Sequence, residues 1–162
     1  MTNLPELLGI LHKGGVEFIV IGGVAGNAYG SARLTLDLDV VYRRSAENYK
    51  RIVEALSPHK PYLRGAPPGL PFHFDEATIA RGLNFTLITD LGPVDLLGEV
   101  TGGGSYQDLL PHTQPRLVFG VEVKIVALRK LIVLKRAAGR PKDIEAIAEL
   151  EALLEERKKS QQ

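Results

Sequence analysis

The sequence predicts an α/β fold, a mixed β-sheet with helices packed on it, and three observations carry that expectation. Phe18-Ile19-Val20-Ile21 is a continuous apolar run between glycines, the pattern of a strand buried on both faces. A glycine-rich turn then leads to a second apolar run, Val40-Val41-Tyr42, so strands flank the turn on both sides. Beyond residue 125 the pattern becomes helical, in two segments separated by Gly139 and Pro141.

Leu4 to Lys13 is expected to be a short helix with Leu7, Leu8 and Leu11 on one side, stopped by Gly14-Gly15. Glu17 to Ile21 is the buried strand. Val24 to Tyr29 is a short helix whose N-terminus lies at the Gly22-Gly23 turn, and Asp37 to Tyr42 is the second strand. Ser45 caps the next helix, with Glu47 near its positive end and Ile52, Val53 and Leu56 toward the core. Residues 58–72 are rich in proline and glycine and form a loop inside the domain, not a linker. Leu83 to Thr89 alternates as a strand, Asp90-Leu91-Gly92-Pro93 turns, and Val94 to Leu97 returns.

Gly102-Gly103-Gly104-Ser105 is expected to be a flexible loop. Arg116 to Phe119 and Val121 to Ile125 form a small β-ribbon. Val126 to Ala138 is a helix, apolar nearly all round. Pro141 opens the last helix, whose stripe is Ile144, Ile147, Leu150 or Glu151, and Leu154. Its acidic start and basic end complement the helix dipole, and residues 158–162 fray. One domain spanning 1–162 is expected, with a sheet-containing core over 1–125 and C-terminal helices over 126–157.

Composition narrows the function classes. The chain has 162 residues, 44% apolar and 24% charged, a soluble globular balance. It has no cysteine, which excludes disulfides and thiolate metal sites. No signal peptide or long apolar span is legible, so a cytoplasmic location with no membrane partner is expected. The net charge of +1 argues against a globally basic nucleic-acid binder. It hides a basic segment, Lys124 to Lys142, followed by an acidic one from Asp143 to Glu156. The basic segment either faces phosphates or is a solvated helix face.

The chemistry concentrates around the first turn. Asp37 and Asp39 are two apart on a strand, so both point to one face and Leu38 to the other. Aspartate is disfavoured in strands, and two on one face repel unless a cation lies between them. That suits Mg²⁺, a hard ion that binds one or two carboxylates plus phosphate oxygens. Gly22, Gly23 and Gly30 permit backbone conformations closed to other residues. They bring main-chain N–H groups to phosphate, or merely allow tight packing. Asp95 interrupts an apolar strand, whereas Asp90 precedes Gly-Pro and fits a turn. Ser31, Arg33 and Thr35 lie just before the carboxylate strand, where Arg33 is a candidate phosphate clamp and Thr35 a candidate to orient Asp37. Lys135 falls in line with Leu128, Leu131 and Ile132, so it either snorkels outward or points into a polar cleft. His12, His59, His73 and His112 lack metal-ligand spacing and are expected at the surface.

The order Gly22-Gly23, then Gly30-x-x-Arg33-x-Thr35-x-Asp37-x-Asp39, resembles the signature of the DNA polymerase β-like nucleotidyltransferases. Its closest variant is the abortive-infection (AbiEii-type) toxin group found in toxin–antitoxin pairs. The resemblance covers roughly residues 16 to 98 and, more weakly, the helix around Lys135. It implies a polymerase β-like fold and a third carboxylate, Asp95, acting as metal ligand and as base for an acceptor hydroxyl. It also implies two Mg²⁺ ions, a nucleoside triphosphate substrate held in part by Lys135, and an RNA, tRNA or protein acceptor. Arg140, Lys142 and Asp143 resemble the Arg-x-Lys-Asp stretch of the toxin group. Otherwise they are helix-start electrostatics. Toxin-group enzymes are usually longer at the C-terminus, so acceptor recognition is expected from a partner, such as a cognate toxin or antitoxin, from a second copy of the chain, or in reduced form. The rival classes are an antitoxin that modifies a partner protein, a non-catalytic nucleotide-binding module, and a plain RNA-binding domain.

Overall fold

A computed structural model describes residues 2–160. Helix α1, Leu4–Lys13, starts at Asn3, whose side-chain oxygen accepts the Glu6 N–H, and buries Leu4, Leu7, Leu8 and Leu11. Strand β1, Phe18–Ile21, is buried throughout and runs directly into helix α2, Gly22–Ala28. Strand β2, Leu38–Tyr42, comes after an extended segment. Helix α3, Ala46–Leu56, is capped by the Ser45 hydroxyl, which accepts the Asn48 N–H.

A single 3₁₀ turn, Ser57–His59, leads to the two-residue strand β3, Tyr62–Leu63, and then to helix α4, Glu76–Arg81. Strands β4, Asn84–Thr89, and β5, Gly92–Leu97, form a hairpin. Strands β6, Glu99–Val100, and β7, Gly104–Ser105, make a separate small ribbon before helix α5, Tyr106–Leu109. Strands β8, Thr113–Val118, and β9, Val121–Val126, precede helices α6, Leu128–Ala138, and α7, Pro141–Ser160.

The main sheet has seven strands in the order β3-β4-β5-β2-β1-β9-β8. It is mixed: β2 runs parallel to β5 and β1 parallel to β9, and the other pairs are antiparallel. The parallel register sets Asp39 directly beside Asp95, and the antiparallel register sets Ile21 on Asp39's other side. Neighbouring strands lie about 4.8 Å apart, so pairing alone brings the two carboxylates within reach of one ion.

Several expectations need correction. The second helix begins at Gly22 itself, not Val24, because the last strand residue passes straight into the first helical turn. The 58–72 loop carries the edge strand β3, which pairs with β4 although only two residues long. Helix α4 has no counterpart among the expected elements. Asp75 caps it by accepting the Thr78 N–H at 2.8 Å, and Ile79 is its sole buried side chain. Residues 102–105 are a tight turn, not a flexible loop: Gly104 and Ser105 pair with Val100 and Glu99, and the Ser105–Asp108 capping box fixes the start of α5. The predicted β-ribbon is the edge of the main sheet, since β9 pairs with β1. Val126 still belongs to β9, so α6 starts at Leu128 and exposes Val133 along with Arg129 and Arg136.

On α7 the inward face is Asp143, Ala146 and Leu150, while Ile144 is 63% exposed. Of the expected stripe, Ile147, Leu150 and Leu154 do pack on the core, and only Ile144 is turned out, its place at the helix start taken by Asp143, which Arg140 and Lys135 pair. Residues 158–160 are helical; the frayed end expected at 161 and 162 lies outside the described residues. His12 and His73 are exposed and His112 lies in a 3₁₀ turn, while His59 is partly buried and contacts Asp90 at 2.9 Å, which leaves Asp90 in the turn. Among the described residues no helix is long and apolar enough to cross a membrane.

The start of β1 is fastened to the end of β2 by one side chain. Asn48 is 1% exposed; its amide oxygen accepts the Glu17 N–H, and its nitrogen donates to the carbonyls of Glu17 and Arg43. Asn48→Ala removes all three of these hydrogen bonds to the main chain. It is expected to cost about 2 kcal/mol in urea unfolding.

Candidate active site

The site is built where β1, β2 and β5 meet beneath α6 and α7. Gly22 has φ 66°, a conformation that favours glycine, and a Cβ there would overlap the Asp39 carboxylate. A Cβ on Gly23 would overlap the Thr35 hydroxyl. The two glycines therefore admit a carboxylate and a hydroxyl against the first turn of α2. Gly30 (φ 109°) turns the chain at the other end of α2 and does not line the cavity.

Asp37, Asp39 and Asp95 each offer an oxygen, and these oxygens lie within 4.8 Å of one another. Together with Gly22, Gly23, Ser31, Arg33 and Thr35 they line a cavity of about 410 Å³. The Oδ1 atom of Asp39 is buried and has no hydrogen-bond partner among the described residues. Burial pushes the Asp39 carboxyl up to about 7 from its ordinary 3.8, assisted by the charges of Asp95 and Asp37 and opposed by Lys135. A buried carboxylate oxygen without a donor, between two more carboxylates, is a ligand set for a hard divalent cation. The residues present fit Mg²⁺.

Lys135 reaches the cavity and does not snorkel away. Its side chain is 20% exposed, and its Nζ lies 3.5 Å from Asp143 Oδ1. Asp143 is 1% exposed. It also accepts from the Arg140 side chain at 2.7 Å and from the Arg140 main-chain N–H at 3.2 Å. Burial opposes its ionisation, but the Arg140 hydrogen bond and the charges of Arg140 and Lys135 outweigh burial and hold its carboxyl below the usual value. Helix-start electrostatics is thus part of what Arg140 and Asp143 do, and Asp143 also pairs with Lys135.

A folded-state value below the unfolded one gives stability that is present above about pH 4 and lost as pH falls through the lowered value. Asp143→Asn is expected to cost about 2–3 kcal/mol at pH 7, because two cations lose a buried partner. The gap to the wild type should close toward pH 3; urea unfolding at the two pH values measures it.

Ser31 and Arg33 border the cavity but are already engaged. The Ser31 hydroxyl donates to Glu149 Oε1 at 2.5 Å, and Arg33 Nη2 lies 3.6 Å from Glu145 Oε2. Thr35 faces Gly23, and no hydrogen bond joins it to Asp37. Lys142 lines the cavity as well.

One cation was not legible in the sequence. Arg64 Nη2 donates to Asp95 Oδ1 at 2.8 Å and to the Leu87 carbonyl at 2.7 Å. It projects from the segment just after β3, where the Arg64 N–H bonds the Thr86 carbonyl, and Thr86 sits opposite Asp95. The only signal was an arginine after Tyr62-Leu63 inside a proline-rich stretch, too short to read as a strand.

The architecture is the nucleotidyltransferase fold. The structure of the lincosamide antibiotic adenylyltransferase LnuA, lincomycin-bound, superposes with a TM-score of 0.60 at 12% identity, over 91% of this chain and 94% of that one. TM1012 of Thermotoga maritima, itself assigned only as a candidate nucleotidyltransferase, superposes with a TM-score of 0.51 at 17% identity, over 96% of each chain. Residues 92–161, from β5 through α7, match the family described as nucleotidyl transferase of unknown function (DUF2204). No curated protein matches the chain by sequence.

Proposed function

We propose that this chain is a metal-dependent nucleotidyltransferase that moves a nucleoside monophosphate from a nucleoside triphosphate to an acceptor hydroxyl. The observation that supports this most is the convergence of Asp37, Asp39 and Asp95, whose oxygens lie within 4.8 Å of one another, together with an Asp39 Oδ1 that has no hydrogen-bond partner among the described residues. These three residues would hold Mg²⁺, two ions by the superfamily resemblance. Held there, Mg²⁺ would supply charge to neutralise the phosphates and to make the acceptor hydroxyl more acidic.

The chain's own groups do the rest. Asp95 takes the hydroxyl proton, and Arg64 fixes one of its oxygens. The acceptor oxygen bonds to the α-phosphorus as the bond to pyrophosphate breaks. Lys135, held in place by Asp143, sets a positive charge beside the phosphates. Gly22, Gly23, Ser31 and Arg33 bind the triphosphate on its other side, with Gly30 shaping the turn that carries Ser31. Positioning and preorganised charge supply most of the rate.

The acceptor is RNA, tRNA or protein, as expected for the toxin-type component of a toxin–antitoxin pair. A second reading, a small hydroxylated molecule, is favoured by the likeness in extent to the lincosamide adenylyltransferase. The two chains superpose over nearly their whole lengths, and that protein holds lincomycin, a small molecule.

The test is label transfer from each α-labelled triphosphate to tRNA, protein or a panel of small hydroxylated compounds, with and without Mg²⁺. Label on RNA supports the toxin reading, label on protein the antitoxin one, and label on a small molecule the second reading. Triphosphate binding without transfer to any acceptor would refute the enzyme and leave a nucleotide-binding module.

A further inference from the structure

We propose that residues 31–33 form an oxyanion subsite for the terminal phosphates, and that the protein's own Glu145 and Glu149 fill it until the phosphates displace them. This assignment rests on the triphosphate reading given above.

The geometry is that of an anion cradle. Ser31 Oγ donates to one oxygen of Glu149, and the Ala32 main-chain N–H donates to the other at 3.2 Å. Arg33 stands beside them with its guanidinium 3.6 Å from the Glu145 carboxylate. One hydroxyl, one main-chain N–H and one guanidinium, on three successive residues, thus already hold two carboxylates. A phosphate presents the same paired acceptor oxygens with more charge. The Ser31 and Ala32 hydrogen bonds also hold the Glu149 carboxyl below its usual value, as donors aimed at an anion do.

The acids differ in how firmly they are held. Asp143 is buried under Arg140 and Lys135, so it is a fixed strut. Glu145 has a side chain 75% exposed, and Glu149 is only partly buried. Both can swing into water when a stronger anion arrives. They sit four residues apart on α7, on one face of the helix. Ser31 and Arg33 line the same cavity as the three aspartates, so phosphates held there extend from the carboxylate cluster.

The alternative is that Glu145 and Glu149 merely clamp α7 to the 31–33 segment. The two accounts predict opposite changes in anion affinity. The probe is inorganic tripolyphosphate with Mg²⁺, titrated calorimetrically into the full chain. Glu145→Ala with Glu149→Ala is expected to bind it about tenfold more tightly than the wild type, because the internal competitor is gone. Glu149→Gln, which keeps an acceptor for Ser31 without the charge, should fall between. Ser31→Ala with Arg33→Ala should bind at least tenfold more weakly.

Equal or weaker binding by the double glutamate variant, with its helical signal intact, overturns the subsite, as does no binding by any of the proteins. Label transfer by the wild type separates this result from the fate of the function. Transfer with unchanged affinities sinks the subsite alone. Tighter binding by the glutamate variant without transfer keeps the subsite and sinks the enzyme.

Discussion

Asp37→Asn and Asp39→Asn are each expected to lower nucleotidyl transfer by about a thousandfold or more. Each keeps the volume of the side chain and removes one anionic ligand from a set whose oxygens lie within 4.8 Å of each other. A lost ligand leaves the phosphates un-neutralised at the moment charge moves, and several kcal/mol of transition-state stabilisation go with it. Triphosphate held by Lys135, Ser31 and Arg33 should still bind, so the loss should appear in kcat more than in KM. The measurement is single-turnover label transfer at saturating triphosphate. Residual activity above a tenth of the wild type in either variant would place the chemistry elsewhere.

The same Asp39→Asn change is expected to stabilise the metal-free protein. Burial and two neighbouring carboxylates raise the Asp39 carboxyl to about 7 in the folded chain, against 3.8 ordinarily. Between these values the folded state holds a proton that the unfolded state releases. Stability therefore falls as pH rises from about 4 to 7, and the loss is complete above 7. Asparagine removes the cost without opening a cavity and without disturbing the approach to Gly22. In EDTA at pH 8 the variant should melt higher by about 5 °C or more, a shift that corresponds to a few kcal/mol. At pH 4 the two proteins should melt together. Added Mg²⁺ should raise the wild-type melting temperature and leave the variant's nearly unchanged, since ligand binding stabilises only the chain that binds it. A variant that melts lower than the wild type in EDTA at pH 8 would mean that the aspartate cluster is not strained. These two experiments oppose each other: the change that removes activity is the one that firms up the metal-free fold.

Much of this site is legible in the chain. Gly22 and Gly23 mark a sharp passage from strand to helix because few other residues tolerate the backbone or the space. Strand alternation put Asp37 and Asp39 on one face; β2 begins only at Leu38, so Asp37 stands in the bend just before it, yet its carboxylate still converges with that of Asp39. Lys135 stands out as a cation on an apolar helix face, and Gly139 and Pro141 punctuate the last two helices. Each of these features arises from neighbours a few residues apart, whose geometry the backbone itself imposes.

Other features came only with the assembled molecule. No periodicity shows that Val121–Val126 will lie parallel to Phe18–Ile21, and that pairing turned an expected ribbon into part of the main sheet. Arg64 meets Asp95 from 31 residues away, and Glu149 meets Ser31 from 118 away. The exchange of Ile144 for Asp143 at the buried start of α7 depends on the distant Lys135, which meets Asp143 from α6. Local backbone preference fixes which way a side chain points from its own strand or helix. It does not fix which distant element will be there to receive it. That choice is made by the packing of the whole core, where burying the largest apolar area selects one arrangement of strands and helices.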